Sequence, residues 1–232
     1  RSKCDWSSDV CSSDLLAHAA PAPVFLTPEE TNPALLLPRP PSDGSPAAMA
    51  ERAELKRIEQ ERTSAQLERA KADDKTENAS IFSEVMGAGF DLKALPATAK
   101  MFAHIRSDEQ VAANAAKALF KRHRPWIVEP SLQSCSKGDA PESSYPSGHS
   151  TMGYAMGTVL AAMAPEKAQA ILARADEYAE NRLVCGMHFR RDIEAGHVLG
   201  TAVAVKLMQK PQFRVEYEAA ADELRSAHLL GN

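Results

Sequence analysis

The chain has 232 residues, with 27 Lys and Arg against 31 Asp and Glu and a formal net charge of −4, so it carries no general electrostatic footprint for nucleic acid. Apolar residues make up 44% and charged residues 25%, the balance of a globular domain with a sizeable core. Aromatic content is only 6%; with Ala, Leu, Glu, Lys and Arg abundant, the composition favours helix over strand.

Residues 1–15 are rich in Ser, Asp and Cys, including Cys4 and Cys11, and have neither helical nor strand periodicity. The run CDWSSDVCSSDL resembles translated sequencing-adapter sequence, the alternative being a genuine disordered tail. Residues 16–20, with Ala17-His18-Ala19 in the A-x-A pattern of a cleavage site, read as the remnant of a signal peptide, and the expectation is a periplasmic or secreted protein. Residues 21–46 form a proline-rich extended segment that wraps the domain or stays loose. Residues 47–232 are expected to make a single all-α domain.

The spacing predicts a charged helix over 48–72 with one apolar stripe. Gly87 and Gly89 mark a turn, Asp91 is expected to cap a short helical piece, and Pro96 fits the first turn of another. Ser107 or Asp108 then caps a helix that sends Val111, Ala115, Ala116, Leu119 and Phe120 towards the core and stops before Arg124-Pro125. Residues 126–145 read as a loop, and a structureless stretch of this length inside a compact domain is often functional. Helices follow over 149–163, 165–181, 188–209 and 211–229, which together describe a compact helical bundle. No segment reaches the roughly 20 apolar residues of a membrane span; the longest weakly polar run is Met152 to Ala164.

Three clusters carry candidate chemistry, and each has an ordinary alternative. Lys117 and Arg124 are cations that a helix C-terminus alone would favour. Pro146-Ser147-Gly148-His149 is a helix start with Ser147 as cap, and equally an anion site. His188 and Asp192 are an i,i+4 pair that could be merely exposed. Taken together they describe one pocket. Lys117, Arg124 and Arg182 supply cationic donors, Ser147 a hydroxyl, and Gly148 and His149 main-chain amides for an anion. Asp192 can accept from one imidazole nitrogen of His188 and leave the other free as nucleophile, while His149 is available as general acid. No Asp/Glu or His/Cys set has metal-ligand spacing, so neither a metal nor another cofactor is expected. His197, nine residues after His188, is rotated off this face and reads as structural. His123 is a candidate for the pocket rim, and Tyr145 and Trp126 pack either on a leaving group or in the core.

The order Lys117, Arg124-Pro125, Pro146-Ser147-Gly148-His149, Arg182, His188, Asp192 places ten positions in three separated blocks. It resembles the phosphatidic-acid-phosphatase type 2/vanadium haloperoxidase superfamily, over roughly residues 95–229. Within it, Ser144-Tyr145-Pro146-Ser147-Gly148-His149 and Arg182 to His188 resemble the bacterial class A non-specific acid phosphatases. The resemblance implies an all-α phosphatase that hydrolyses soluble phosphomonoesters through a phosphohistidine on His188, with His149 as acid and Asp192 orienting His188. Phosphotransfer to alcohols is a further expectation, as is phosphate binding by Lys117, Arg124, Ser147, Gly148 and Arg182. Asn181 departs from the Ser usual before the second Arg, which leaves that position outside the expected site. Cys135 and Cys185 are placed like cysteines of related acid phosphatases and would pair in an exported protein; two independent thiols are the alternative. A vanadate-dependent haloperoxidase and a non-catalytic phosphate-binding helical protein are the competing readings. Ala- and Leu-rich helical faces leave room for a homo-oligomer.

Overall fold

The structure, a computed structural model, describes residues 22–231, and the readings of residues 1–20 as adapter-like sequence and signal-peptide remnant lie outside them. The described residues contain helices and irregular segments and no strand, as the composition predicts. In chain order the helices are α1 (Pro33–Leu36), α2 (Pro46–Glu61), α3 (Ser64–Asp74), α4 (Ser83–Met86), α5 (Pro96–Phe120), α6 (Pro125–Val128), α7 (Gly148–Met163), α8 (Ala168–Val184), α9 (Arg190–Met208) and α10 (Pro211–Ser226).

At the centre, α7 lies against α9 and α8, with α5 closing the other side. Its sequence, with Met152, Ala155, Met156, Val159 and Leu160 all buried, leaves it nearly surrounded. Two glycines of α9 permit the close approach. A side chain at Gly196 would stand 2.6 Å from Ser150 Cβ, and one at Gly200 would collide with the Thr151 carbonyl. This contact brings the N-termini of α7 and α9 together: the Ser147 amide donates to the Asp192 carbonyl (2.9 Å) and the Ser150 hydroxyl to that of Ile193 (2.7 Å).

The proline-rich segment wraps the domain. Leu26 and Leu37 are buried, the Tyr145 hydroxyl donates to the Pro38 carbonyl (2.7 Å), and α1 adds a single turn capped by Asn32. The single helix expected over 48–72 is two helices. Arg62 and Thr63 are extended, because Thr63 and Gln66 form a capping box that starts α3. The Arg62 guanidinium donates to the carbonyls of Val184 (2.5 Å) and Gln133 (3.0 Å).

Neither Ser107 nor Asp108 caps a helix. Both lie inside α5, which begins at Pro96 because Glu223 of α10 accepts the Ala97 and Thr98 amides (3.0 and 2.8 Å). Asp108 instead accepts the amides of Val24, Phe25 and Leu26 and ties the N-terminal segment to the bundle. The helix ends at Phe120 rather than at Arg124-Pro125, closed by Lys121 in the left-handed region (φ 47°). Asp91 caps a turn, with its carboxylate accepting the Lys93 amide (3.0 Å), and no helix follows until Pro96. The loop after α5 contains the single turn α6, and a disulfide between Cys135 and Cys185 joins it to the end of α8. The last helices form close to the expected ranges, except that α9 starts at Arg190, so His188 precedes the helix.

Candidate active site

The N-terminus of α7, the C-terminal half of α5, the end of α8 and the segment before α9 meet around a cavity of about 190 Å³. Lys117, Arg124, Gly148, His149, Arg182 and His188 line it, together with Glu77, Arg106, Gln110, Ala113, Asn114 and Asp139. Six of the expected site residues are thus brought together. Ser147 and Asp192 lie just behind this wall, fully buried. Ser147 is the N-cap of α7, its hydroxyl oxygen accepting the Ser150 amide (3.3 Å). The Gly148 and His149 amides belong to the first turn, whose N–H groups have no intrahelical acceptor.

The tautomer of His188 is readable from its neighbours. Its Nδ1 donates to the Ser144 carbonyl at 2.8 Å, which leaves a lone pair on Nε2, and Arg124 Nη1 donates to Nε2 at 2.9 Å. Asp192 stands 3.5 Å from Nδ1. The sequence reading made this carboxylate the direct acceptor. The Ser144 carbonyl is the nearer acceptor, and Asp192 stands beside it, holding the Ser144 hydroxyl as well. Its oxygens accept the Ser144 hydroxyl (2.6 Å), the Phe189 amide (2.8 Å) and Arg122 (2.5 Å). Burial pushes the Asp192 carboxyl up to about 6, against the pull of Arg122 and the two other donors.

His149 Nε2 lies 3.2 Å from the Asp74 carbonyl and 3.9 Å from Glu77 Oε1, with the Tyr178 ring 5.5 Å from its own. Both site histidines are held well below the ordinary 6.5, by burial first. For His188 the next cause is Arg124, and for His149 it is Arg182, while the Asp74 carbonyl pulls the His149 value upward. Lys117 is lowered to about 8, again by burial and then by Arg124.

Arg124 and Arg182 already hold carboxylates: Arg124 pairs with Asp139 at 2.9 Å and Arg182 with Asp74 at 2.5 Å. Arg182 Nε is buried with no partner among the described residues.

Other expected neighbours lie elsewhere. Trp126 packs with Met187 and the disulfide, and Tyr145 is core, packed edge-on against Phe120; the leaving-group role considered for both does not fit. His123 pairs with Asp43 (2.7 Å) away from the cavity. His197 stacks on Tyr154 with centroids 3.7 Å apart, off the site as expected. Asn181 donates to Asp73 (2.8 Å), which Arg174 also binds, and so has no part in the cavity wall.

Sequence reasoning missed Asp74, Glu77, Arg106, Gln110, Asn114, Asp139 and Arg122. The α5 members were detectable in principle: 106, 110, 113, 114 and 117 share one helical stripe. A helix that starts at 107 leaves only Arg106 outside that stripe.

An all-helical fold with a cationic cavity and two histidines defines a class of phosphoryl-binding protein, and the comparisons with known proteins agree. Residues 101–216 match the PAP2 superfamily. The chain is 31% identical over 215 residues to the non-specific acid phosphatase of Salmonella typhimurium, covering 89% of this chain and 86% of that protein. It is 30% identical over 221 residues to the non-specific acid phosphatase of Salmonella typhi (91% and 88%), and 29% over 204 residues to the acid phosphatase of Zymomonas mobilis (85% and 77%). The chain belongs to the PAP2 superfamily and, within it, to the class A non-specific acid phosphatases. It is an enzyme of phosphomonoester hydrolysis.

Proposed function

We propose that hydrolysis proceeds through a covalent phosphohistidine on His188, with His149 as general acid and then base. The observation that carries this reading is the Nε2 lone pair of His188, fixed by the Ser144 carbonyl on Nδ1 and directed at Arg124 inside the cationic cavity.

Lys117, Arg124 and Arg182 bind the phosphoryl oxygens, with the Gly148 and His149 amides and the Ser147 hydroxyl. Asp74 and Asp139 give up their arginines to the substrate. The partnerless Arg182 Nε is a donor well suited to the charge that develops on phosphorus oxygens. His188 Nε2 attacks phosphorus, the bond to the leaving oxygen breaks, and protonated His149 delivers a proton to that oxygen. The Asp74 carbonyl keeps a proton on His149 Nε2, so Nδ1 is the nitrogen that exchanges it. Water then loses a proton to His149 and attacks phosphorus, the P–N bond breaks, and phosphate leaves with His188 neutral again. An alcohol in place of water makes the second step a phosphotransfer. The three cations stabilise the transferring charge, the part that a metal plays in other phosphatases.

Small phosphomonoesters are the substrates of this reading. The Cys135–Cys185 disulfide supports an exported, periplasmic or secreted protein, since such bonds persist in oxidising compartments.

The test is rapid acid-free quenching with labelled substrate. A phosphoenzyme that is stable to base, labile to acid and absent from His188→Ala is expected, with turnover reduced by orders of magnitude in His188→Ala and His149→Ala. A His188→Ala enzyme that retains turnover ends the proposal, and so does activity abolished by a chelator.

A further inference from the structure

His149, the general acid of the mechanism proposed above, must carry a proton in a place that disfavours one. Arg182 acts on it from α8, and Lys117 and Arg106 act from α5. His188 lies across the cavity, where Arg124 is paired with Asp139. Burial and these cations all work against a protonated imidazole. From the end of α3 and the turn after it come two carboxylates. Asp74 is taken by Arg182, so its main-chain carbonyl rather than its carboxylate meets His149 Nε2. The other is Glu77, whose Oε1 stands 3.9 Å from the same nitrogen.

Glu77 is half exposed, yet it is held from both sides. The main chain beside it is pinned: the Thr76 carbonyl accepts the Tyr178 hydroxyl (2.5 Å), and the Tyr178 ring stands 5.5 Å from the His149 imidazole. Its Oε2 accepts from Arg106, which in turn donates to Glu109 Oε1. Glu109 is fully buried, and its Oε2 has no partner among the described residues. A carboxylate buried in this way costs stability, and what it secures is the guanidinium that grips Glu77. Burial pushes the Glu109 carboxyl up to about 7, against the pull of Arg106. In either charge state Oε1 can accept from Arg106, and at acid pH Glu77 is left as the anion that neutralises this arginine. We propose that Glu77, clamped by Arg106 and Glu109, is a positioning residue that supplies the counter-charge for protonated His149 and so keeps the proton on the general acid until the leaving oxygen takes it.

This inference rests on the reading of His149 as general acid, and the experiment separates the two. Glu77→Gln keeps the shape and loses the charge, whereas Glu77→Asp keeps the charge on a shorter arm. In each, kcat/KM is measured at about pH 6.5 for glycerol phosphate, whose leaving alkoxide needs a proton, and for p-nitrophenyl phosphate, whose phenolate leaves without one. The ratio of the two values cancels any change in phosphoryl binding. For Glu77→Gln the ratio of glycerol phosphate to p-nitrophenyl phosphate is expected to fall about three- to tenfold, the effect of a screened charge at this distance. Glu77→Asp should stay nearer the wild type. An unchanged ratio in an active Glu77→Gln enzyme, or a Glu77→Asp enzyme that loses as much as Glu77→Gln, overturns the counter-charge and leaves the phosphatase reading intact. A second measurement needs no turnover: in an NMR titration the His149 imidazole of Glu77→Gln should lose its proton at lower pH than that of the wild type, and coincident titrations overturn the proposal. A wild type that hydrolyses neither ester overturns the phosphatase reading itself, and this proposal with it.

Discussion

Arg122 Nη1 lies 2.5 Å from Asp192 Oδ1, both side chains almost wholly buried. The same guanidinium reaches Glu51 of α2 through Nη2 at 2.6 Å, and Glu51 also accepts the Arg191 amide at 2.8 Å. A helix far from the cavity in sequence is thus connected through Arg122 to Asp192, from there to the Ser144 hydroxyl, and through Ser144 to the imidazole of His188. Arg122 also sits over the Phe189 ring, 4.4 Å from its centroid.

Removing Arg122 leaves two carboxylates buried without their common partner. Arg122→Met is expected to destabilise the fold by about 3–5 kcal/mol, read by denaturant unfolding. Glu51→Gln keeps the shape and a hydrogen-bond acceptor, so it should unfold nearly as late while kcat falls by about tenfold, KM changing little. A Glu51→Gln enzyme with unaltered kcat would show that Asp192 needs no support from α2.

Asp139 pairs with Arg124, the cation that the proposed mechanism gives to the phosphoryl group, so in that mechanism it competes with substrate. It is half exposed, and exposed pairs are worth at most about 1 kcal/mol. Asp139→Asn is therefore expected to lower KM and the inhibition constant of inorganic phosphate together by about two- to fivefold. Inhibition curves that superimpose on those of the wild type would refute the competition.

The charge states favour work at acid pH. Burial and the neighbouring cations hold His188 neutral, as a nucleophile must be, and Lys117 stays cationic below about 8. His149 must be protonated to act as acid, and its value is held well below 6.5, so its acid form gains population as pH falls. Accordingly kcat/KM should rise from pH 7 towards pH 5 and lose a further increment above pH 8, where Lys117 gives up its proton. A profile that climbs from pH 5 to pH 8 contradicts this assignment of roles.

The disulfide closes a loop between positions 50 residues apart. The chain-entropy relation gives it about 4 kcal/mol, and it ties the loop carrying Asp139 to the segment between Arg182 and His188. Cys135→Ser/Cys185→Ser should lower the unfolding midpoint and raise KM more than it lowers kcat, because the phosphoryl donors lose their frame. Reduction of the wild type with dithiothreitol should reproduce the change; an unaltered midpoint in both would argue that the loop is held by its hydrogen bonds alone, among them that of the Cys135 amide to the Cys185 carbonyl (2.9 Å).

The ranges of α7, α8 and α10 were legible because their ends are marked locally, by Ser147 and by Pro165 and Pro211 near helix starts. The start of α5 was marked by Pro96, but its unbroken run through Ser107 and Asp108 was not legible, because both residues look like helix caps in sequence. Asp108 looks like a cap in sequence and binds a remote strand of backbone instead.

The sequence alone determined the cations, the two histidines and their order, which specify an anion pocket and carry the family resemblance that implies phosphoryl chemistry. Only the tertiary structure decided how each of these groups is held. His188 Nδ1 donates to the Ser144 carbonyl, a main-chain group that no motif encodes, while Asp192, 3.5 Å from the same nitrogen, accepts the Ser144 hydroxyl and Arg122. Carboxylates from other segments, Asp74 and Asp139, pair with Arg182 and Arg124. These pairings depend on how close α7 can lie to α9 and where a disulfided loop comes to rest. Both are properties of packing, which joins residues that sequence separation keeps apart.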